Sequence, residues 1–246
     1  MSKYKISIIL PCYNGGEYLK ESLHSCLNQN YDNVEVIFVD NESTDDSLKV
    51  AQKFKIAYSN LLISTAPNIH KFSASEPVTE ALTLISGDYF TVVGADDILT
   101  IDYISNVVKR IESLEEEVLC IQSAIHRLFP NGGGDLVGYS YNNVDELKNQ
   151  LLLHCCVNTP TVFYKKTLYD RGLLTWKTKE YLGAEDYDMY CQLADKNIFI
   201  HTCNEWLGYF YRIHEGQCTW GMVEESKKGN NVDQKIKSFW KKRWKK

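Results

Sequence analysis

The chain has 246 residues, 44% of them hydrophobic, enough for one large α/β domain with a substantial core and with no apolar run long enough to span a bilayer. Its net charge of −5 divides into +7 over KIKSFWKKRWKK (235–246) and hence −12 for the remainder. An acidic body argues against a general nucleic-acid-binding surface, so no nucleic-acid partner is expected.

The opening MSKYKISIIL enters a strand-like run with no signal-peptide cleavage pattern. KISIILPCY (5–13) reads as a strand, and a helix follows over about 15–29 with Leu19, Leu23, Cys26 and Leu27 on one face. VEVIFVD (34–40) is a second strand; STDDSLKVAQKF is a second helix, with Ser43 or Thr44 as its N-cap. LLISTA (61–66) is a third strand, and Glu76-Pro77 opens a helix that Gly87 closes. DYFTVVG is a fourth strand, followed by a helix over 100–116 and a fifth strand in VLCIQSAIHRLF. This alternation predicts an α/β fold, a mostly parallel, doubly wound central sheet with helices on both faces and ligands beyond the carboxyl ends of the strands.

The second half is less regular. PNGGGD (130–135) is a turn between antiparallel strands, 143–154 a helix, and GAEDYDMYCQLADK (183–196) another helix. TVFYKK (161–166), IFIHTC (198–203) and WLGYFYRI (206–213) are strand candidates, and the polar, glycine-containing loop 215–230 is expected to be mobile. With no internal repeat and no long linker, residues 1–230 read as a single domain, with 231–246 as a basic, aromatic C-terminal tail. Eight cysteines occur without a CxxC pair, several inside apolar runs. They are expected to be buried free thiols in a cytoplasmic protein, without a structural zinc site.

Two adjacent carboxylates, Asp96-Asp97, end the fourth strand in TVVGADD. They repel each other unless a cation or polar ligand lies between them, although acids also favour a following helix start. VDNESTD (39–45), GADD (94–97), GAEDYD (183–188) and YRIH (211–214) form the candidate site together. Arg212 and His214 alternate on a strand and are expected on one face. Arg can grip a diphosphate with two donors, and neutral His can ligate a metal. A carboxylate near Gly183 can take the proton of a hydroxyl nucleophile.

These four motifs, in this order, resemble those of the family 2 glycosyltransferases of the GT-A fold, from about Lys5 to His214. The resemblance implies a nucleotide-binding half over about 1–100 and an acceptor-binding half over about 101–230. Asp96-Asp97 matches the family's DXD-type position, which implies that Asp97 binds Mn²⁺ or Mg²⁺ and that Asp96 contacts the ribose or the metal, with His214 as a further metal or phosphate ligand. Gly94 stands where members commonly have another Asp. Asp40 and Asn41 fall where the family recognises the base; uracil is favoured, with Asn41 in place of the usual second acid. Pro11 and Tyr13 belong to the other wall of the nucleotide pocket, Tyr13 stacking on the base or packing in the core. Asn68 and Lys71 sit in a loop that faces the nucleotide in related enzymes. The Glu185-Asp186 pair matches the family's base position for an inverting displacement, with Asp186 as base and Glu185 contacting sugar or acceptor, or the reverse.

The resemblance thus implies an inverting transfer from a nucleotide-sugar donor to a saccharide or lipid-linked glycan acceptor in polysaccharide or glycoconjugate synthesis. Transfer to a polyisoprenyl phosphate uses the same fold but needs no such acid pair. Gly94 and Asn41 are the only features that favour a degenerate scaffold. A dinucleotide oxidoreductase would need GxGxxG after the first strand, which PCYNGGEY lacks. In the tail, a helix would align Ile236, Phe239, Trp240 and Trp244 among basic residues. That pattern suits peripheral contact with an anionic inner membrane face, or an acidic patch on the protein's own body.

Overall fold

The computed structural model describes residues 3–70, 73–219 and 231–245. The first half follows the alternating pattern. Strand β1 (Ile6–Cys12), helix α1 (Leu19–Leu27), β2 (Val34–Asp40), α2 (Ser47–Ala57), β3 (Leu61–Thr65), α3 (Ser75–Leu82) and β4 (Tyr89–Val92) come in turn. The strands pair in the order β3-β2-β1-β4, all parallel. Helices cover both faces, so β2 is buried along its whole length. The strand alternation sorts β1 into two cores: Ile6, Ile8 and Leu10 face α1 and α4 (Tyr103–Glu112), while Ile9 faces α3.

Two local expectations change. Helix α1 begins only at Leu19, because Asn14 (φ 51°) and Gly16 (φ 55°) turn the chain through left-handed backbone first. Helix α2 is N-capped at Asp46, not at Ser43 or Thr44, because both of those are engaged by Asn14. The Ser43 hydroxyl accepts from the Asn14 N–H at 3.0 Å, and Asn14 Oδ1 accepts from the Thr44 N–H at 2.7 Å. These bonds tie the loop after β1 to the loop after β2.

The second half departs further from a simple wound sheet. Strand β8 (Phe163–Lys165) inserts antiparallel between β4 and β6 (Cys120–Leu128). The two strands expected over 198–203 and 206–213 are one, β9 (Ile200–Arg212), parallel to β6 with register shifts around Ala124. Short β5 (Ile98–Leu99) pairs with the end of β9, Leu99 opposite Tyr209, and so brings Asp96-Asp97 beside Tyr209–Arg212. The PNGGGD turn joins β6 to β7 (Gly134–Val137), which pair antiparallel as expected. Helix α5 (Val144–Leu151) is N-capped by Asn143, and short α6 (Lys166–Asp170) and α7 (Thr178–Tyr181) precede α8 (Glu185–Asp195).

All eight cysteines are free thiols; six are buried and Cys218 is exposed. No helix among the described residues is long and apolar enough to cross a membrane. Residues 231–245 do not stand apart as a tail. Helix α9 (Val232–Trp244) packs on α8, with Ile236 fully buried and Trp240 3% exposed. The apolar stripe is thus turned toward the protein, since its side chains complete the core beside α5 and α8. The expected loop 215–230 falls, from residue 220 on, outside the described residues, as does Lys71.

Candidate functional site

A cleft of about 570 Å³ opens at the carboxyl ends of β1, β2 and β4 and is closed on its far side by the first turn of α8. Of the candidates, Pro11, Tyr13, Asn41, Asp96, Asp97, Glu185, Asp186 and His214 line it; Asp40, Asn68 and Arg212 do not, and Lys71 lies outside the described residues.

On the nucleotide side, Tyr13 is 53% exposed at the rim, which excludes the reading of it as a core residue. Asn41 is buried, and its side-chain amide donates to the carbonyls of Pro67 at 2.9 Å and Ala66 at 3.3 Å. Those two bonds fix the amide orientation and leave the carbonyl oxygen as the acceptor. Asp40 lies behind this wall. Its Oδ2 accepts from the Ser43 N–H at 3.1 Å, and its buried Oδ1 has no protein partner. In this position Asp40 supports the loop that follows β2. Asn68 stands nearby, its N–H donating to Glu42 Oε2 at 3.1 Å.

The acidic pair divides into two roles. Asp97 is 1% exposed. Its Oδ2 accepts from the Tyr209 hydroxyl at 2.6 Å and its Oδ1 from the Arg212 N–H at 2.9 Å. Burial, reinforced by the adjacent Asp96 charge, holds its carboxyl well above the usual range. Asp96 is open to the cleft, with Oδ2 2.9 Å from His214 Nε2. Gly94 is a steric necessity here, since a Cβ on it would lie 2.6 Å from Asp96 Oδ1 and 2.8 Å from Asp97 Oδ2.

Arg212, expected at the diphosphate, is engaged within the protein. Its Nε donates to the Asp96 carbonyl at 2.8 Å, its Nη2 to Glu21 Oε2 at 2.8 Å, and the guanidinium lies over the Tyr18 ring. It braces the Asp96 backbone from behind. His214 lies just past the end of β9 yet reaches the same residue, so both halves of YRIH converge on Asp96.

Asp96 and His214 offer an oxygen and a nitrogen donor of the kinds a divalent ion accepts. The two are hydrogen-bonded to each other at 2.9 Å, so an ion between them would take the place of that bond. Among the described residues no group of three His, Cys, Asp or Glu side chains is placed to hold an ion alone. A hard cation held by one or two carboxylates, with substrate phosphates completing the shell, needs no such group.

Opposite lies the second acid pair. Gly183, at φ 84°, turns the chain into α8. Asp186 Oδ2 accepts from the Thr159 hydroxyl at 2.6 Å, and Oδ1 from the Tyr187 N–H at 2.7 Å. Glu185 is 6% exposed; Oε1 accepts from the Ser73 hydroxyl, and the buried Oε2 has no protein partner. Burial raises both carboxyls above their ordinary values.

The profile of glycosyl transferase family 2 matches residues 7–173, more than half of the chain. The chain belongs to that family. It is 25% identical over 228 residues to the Escherichia coli UDP-Glc:alpha-D-GlcNAc-diphosphoundecaprenol beta-1,3-glucosyltransferase WfaP, covering 92% of this chain and 84% of WfaP. It is 30% identical over 114 residues to glycosyltransferase GlyG of Streptococcus pneumoniae, covering 46% of this chain but only 37% of GlyG. The fold is the GT-A fold of Staphylococcus aureus TarS residues 1–349, solved with UDP-GlcNAc, at TM-score 0.69 and 22% identity. That likeness covers 88% of this chain and 60% of the TarS chain.

Sequence reasoning missed Tyr209, Ser73 and Thr159, whose hydroxyls bond the acids of this family 2 site. Tyr209 carried a signal, lying one alternation before Tyr211 in WLGYFYRI. Ser73 and Thr159 lie in connections and carried none.

Proposed function

We propose that the chain transfers a sugar from a nucleoside-diphosphate sugar, a UDP-sugar by preference, to a hydroxyl of a saccharide or lipid-linked glycan, with inversion at the anomeric carbon. The observation that carries this reading is the placement of Asn41, Asp96 and His214 on one side of a cleft whose other side holds Glu185 and Asp186. WfaP, which matches along most of its length, takes a UDP-sugar and a diphosphoundecaprenol-linked acceptor by its name, and this chemistry suits the cleft.

The Asn41 carbonyl accepts from the N–H of the base, and Tyr13 covers the base from the rim. Asp96 and His214, with Asp97 behind them, would hold Mn²⁺ or Mg²⁺, which when bound would supply neutralisation of the charge on the departing diphosphate. Asp97 is held by Tyr209 and the Arg212 N–H, and it keeps the Asp96 turn in place. Asp186, its carboxyl raised by burial, takes the proton as the acceptor hydroxyl attacks the anomeric carbon. Glu185 offers Oε2 to a sugar or acceptor hydroxyl. The oxocarbenium-like transition state needs water kept out of the cleft.

The decisive experiment is a donor screen, measuring diphosphate release from UDP-, GDP-, dTDP- and CMP-sugars with and without Mn²⁺, with the anomeric configuration of the product read by NMR. Metal-dependent turnover of a UDP-sugar with inversion is the expected result. Retention of configuration rules out the single displacement. Asp96→Ala should weaken metal-dependent UDP binding by roughly 10- to 100-fold in calorimetry.

A further inference from the structure

The acid pair stands on the first turn of α8, and that turn is held from behind by the C-terminal helix. Asp188, two residues after Asp186, is completely buried. A carboxylate taken wholly out of water is tolerated only with donors around it. Trp240 Nε1 of α9 donates to its Oδ1 at 2.7 Å, Gln192 Nε2 to its Oδ2 at 2.8 Å, and Lys177 Nζ lies 3.3 Å from Oδ2. Of these, Gln192 belongs to α8 itself and Lys177 to the segment before it. Of these three, Trp240 is the one that ties Asp188 to another helix, beside the bonds that hold Asp186 to Thr159 and Tyr187 to the Leu151 carbonyl.

The far end of α8 is held in the same way. Trp244 Nε1 donates to Asp195 Oδ1 at 3.1 Å, and Arg243 Nη2 pairs with Asp195 Oδ2 at 2.7 Å. The Trp240 and Trp244 rings lie 5.2 Å apart, centroid to centroid, and form one aromatic slab between the two anchoring points. Three acids in one helical turn repel one another, and the helix dipole offsets only part of that. A turn so charged keeps its geometry only if fixed from outside.

We infer that α9 is a brace for the acid pair, with Trp240 a positioning residue that acts through Asp188 on Glu185 and Asp186. The inference rests on the reading of that pair as the acceptor-activating group. It gives the C-terminal segment a place in the transfer reaction itself: an error of about 1 Å in a base can cost ~100-fold in rate.

Trp240→Phe removes the N–H donor and leaves one aromatic ring in the core, with a small cavity where the second ring lay, and Trp244→Phe carries the same loss of ring. Trp244→Phe, which removes the donor to Asp195, is the comparison. Hydrogen–deuterium exchange on the full chain should show amides 184–190 exchanging roughly tenfold faster in Trp240→Phe, with amides 36–41 unchanged. Trp244→Phe should leave 184–190 within about twofold of the unaltered chain. UDP release from UDP-glucose and UDP-N-acetylglucosamine reads the same brace, kcat falling roughly tenfold in Trp240→Phe while the donor KM moves less than about twofold. Unaltered exchange at 184–190 in Trp240→Phe overturns the inference, and so does a loss of kcat that Trp244→Phe reproduces. If the unaltered chain releases no UDP from either donor yet the exchange difference is present, the UDP-sugar preference falls and the brace stands.

Discussion

The two walls of the cleft are built by different means. The nucleotide wall sits at the ends of parallel strands, where loop backbone and a few side chains are pinned by bonds between neighbouring strand-end loops, such as Asn14 to Thr44 and Asn41 to Pro67. The opposite wall is a helix N-terminus carrying acids, held by side chains from separate connections and from the C-terminal helix: Ser73, Thr159 and Trp240. The first arrangement recognises a ligand with groups already satisfied by the fold. The second stores charge in a dry place, where a carboxyl becomes a better proton acceptor at the expense of stability. The comparison implies that damage to the acceptor wall should strike the chemical step, whereas damage to the nucleotide wall should strike binding and folding.

The largest effect that would break this comparison is on Asp186. Asp186→Asn keeps the bond from Thr159 but cannot take a proton. Transfer should fall by roughly 10²- to 10⁴-fold while UDP binding in calorimetry stays near that of the unaltered chain. Full transfer activity would move the base to Glu185 or elsewhere, and a parallel loss of UDP affinity would merge the two walls into one unit.

Next comes Asn41→Asp, which tests the nucleotide wall. The family's usual acid at this position would place a carboxylate against the Ala66 and Pro67 carbonyls that the Asn41 amide now satisfies. The expected result is a loss of ~1–3 kcal/mol in stability, seen as a lower Tm, together with weaker UDP binding. Tighter UDP binding with an unchanged Tm would overturn the amide orientation.

How much of this was legible differs between the halves for the same physical reason. In the first half β1, β2 and β3 pair in chain order and only β4 crosses back, to β1, so hydrophobic period and turn residues were enough to place Asp96, Asp97 and Asn41 at strand ends. In the second half, β8 inserts between β4 and β6, and the irregular register around Ala124 lets one strand absorb what read as two. No local pattern encodes either. The motif GAEDYD marked the acid pair through its residue types, but its partners come from remote loops and left no trace. The C-terminal stripe was legible as an apolar helix face, yet periodicity records that a face must be covered and not by what.

A smaller effect sharpens the contrast in stability. Burial raises the Glu185 carboxyl. Between the ordinary carboxylate value of about 4.3 and the raised one, the folded chain keeps a proton that the unfolded chain has released, so stability falls as pH rises through that window. Removing the charge with Glu185→Gln should therefore raise Tm at neutral pH by about 2–4 °C, for ~1 kcal/mol, and the gain should vanish at a pH below that window. A gain that persists in acid would assign the effect to packing instead of ionisation.

The smallest effect concerns the outer face of α9. With Ile236 and Trp240 turned inward, the surface left outside carries Lys235, Lys241, Lys242 and Lys245, with Phe239 47% exposed. Any contact with an anionic bilayer is then electrostatic first, with little aromatic surface to insert. Each lysine near such a surface contributes about 1 kcal/mol at most, and salt screens it within a Debye length of ~8 Å at physiological ionic strength. Co-sedimentation with phosphatidylserine vesicles at low salt should therefore weaken up to about fivefold in Lys242→Gln, and binding by the unaltered chain should disappear at high salt. Binding that survives high salt would mean the aromatic residues insert, which requires α9 to leave α8 and would undo the brace. Absence of binding at low salt would confine α9 to its contact with the acceptor wall.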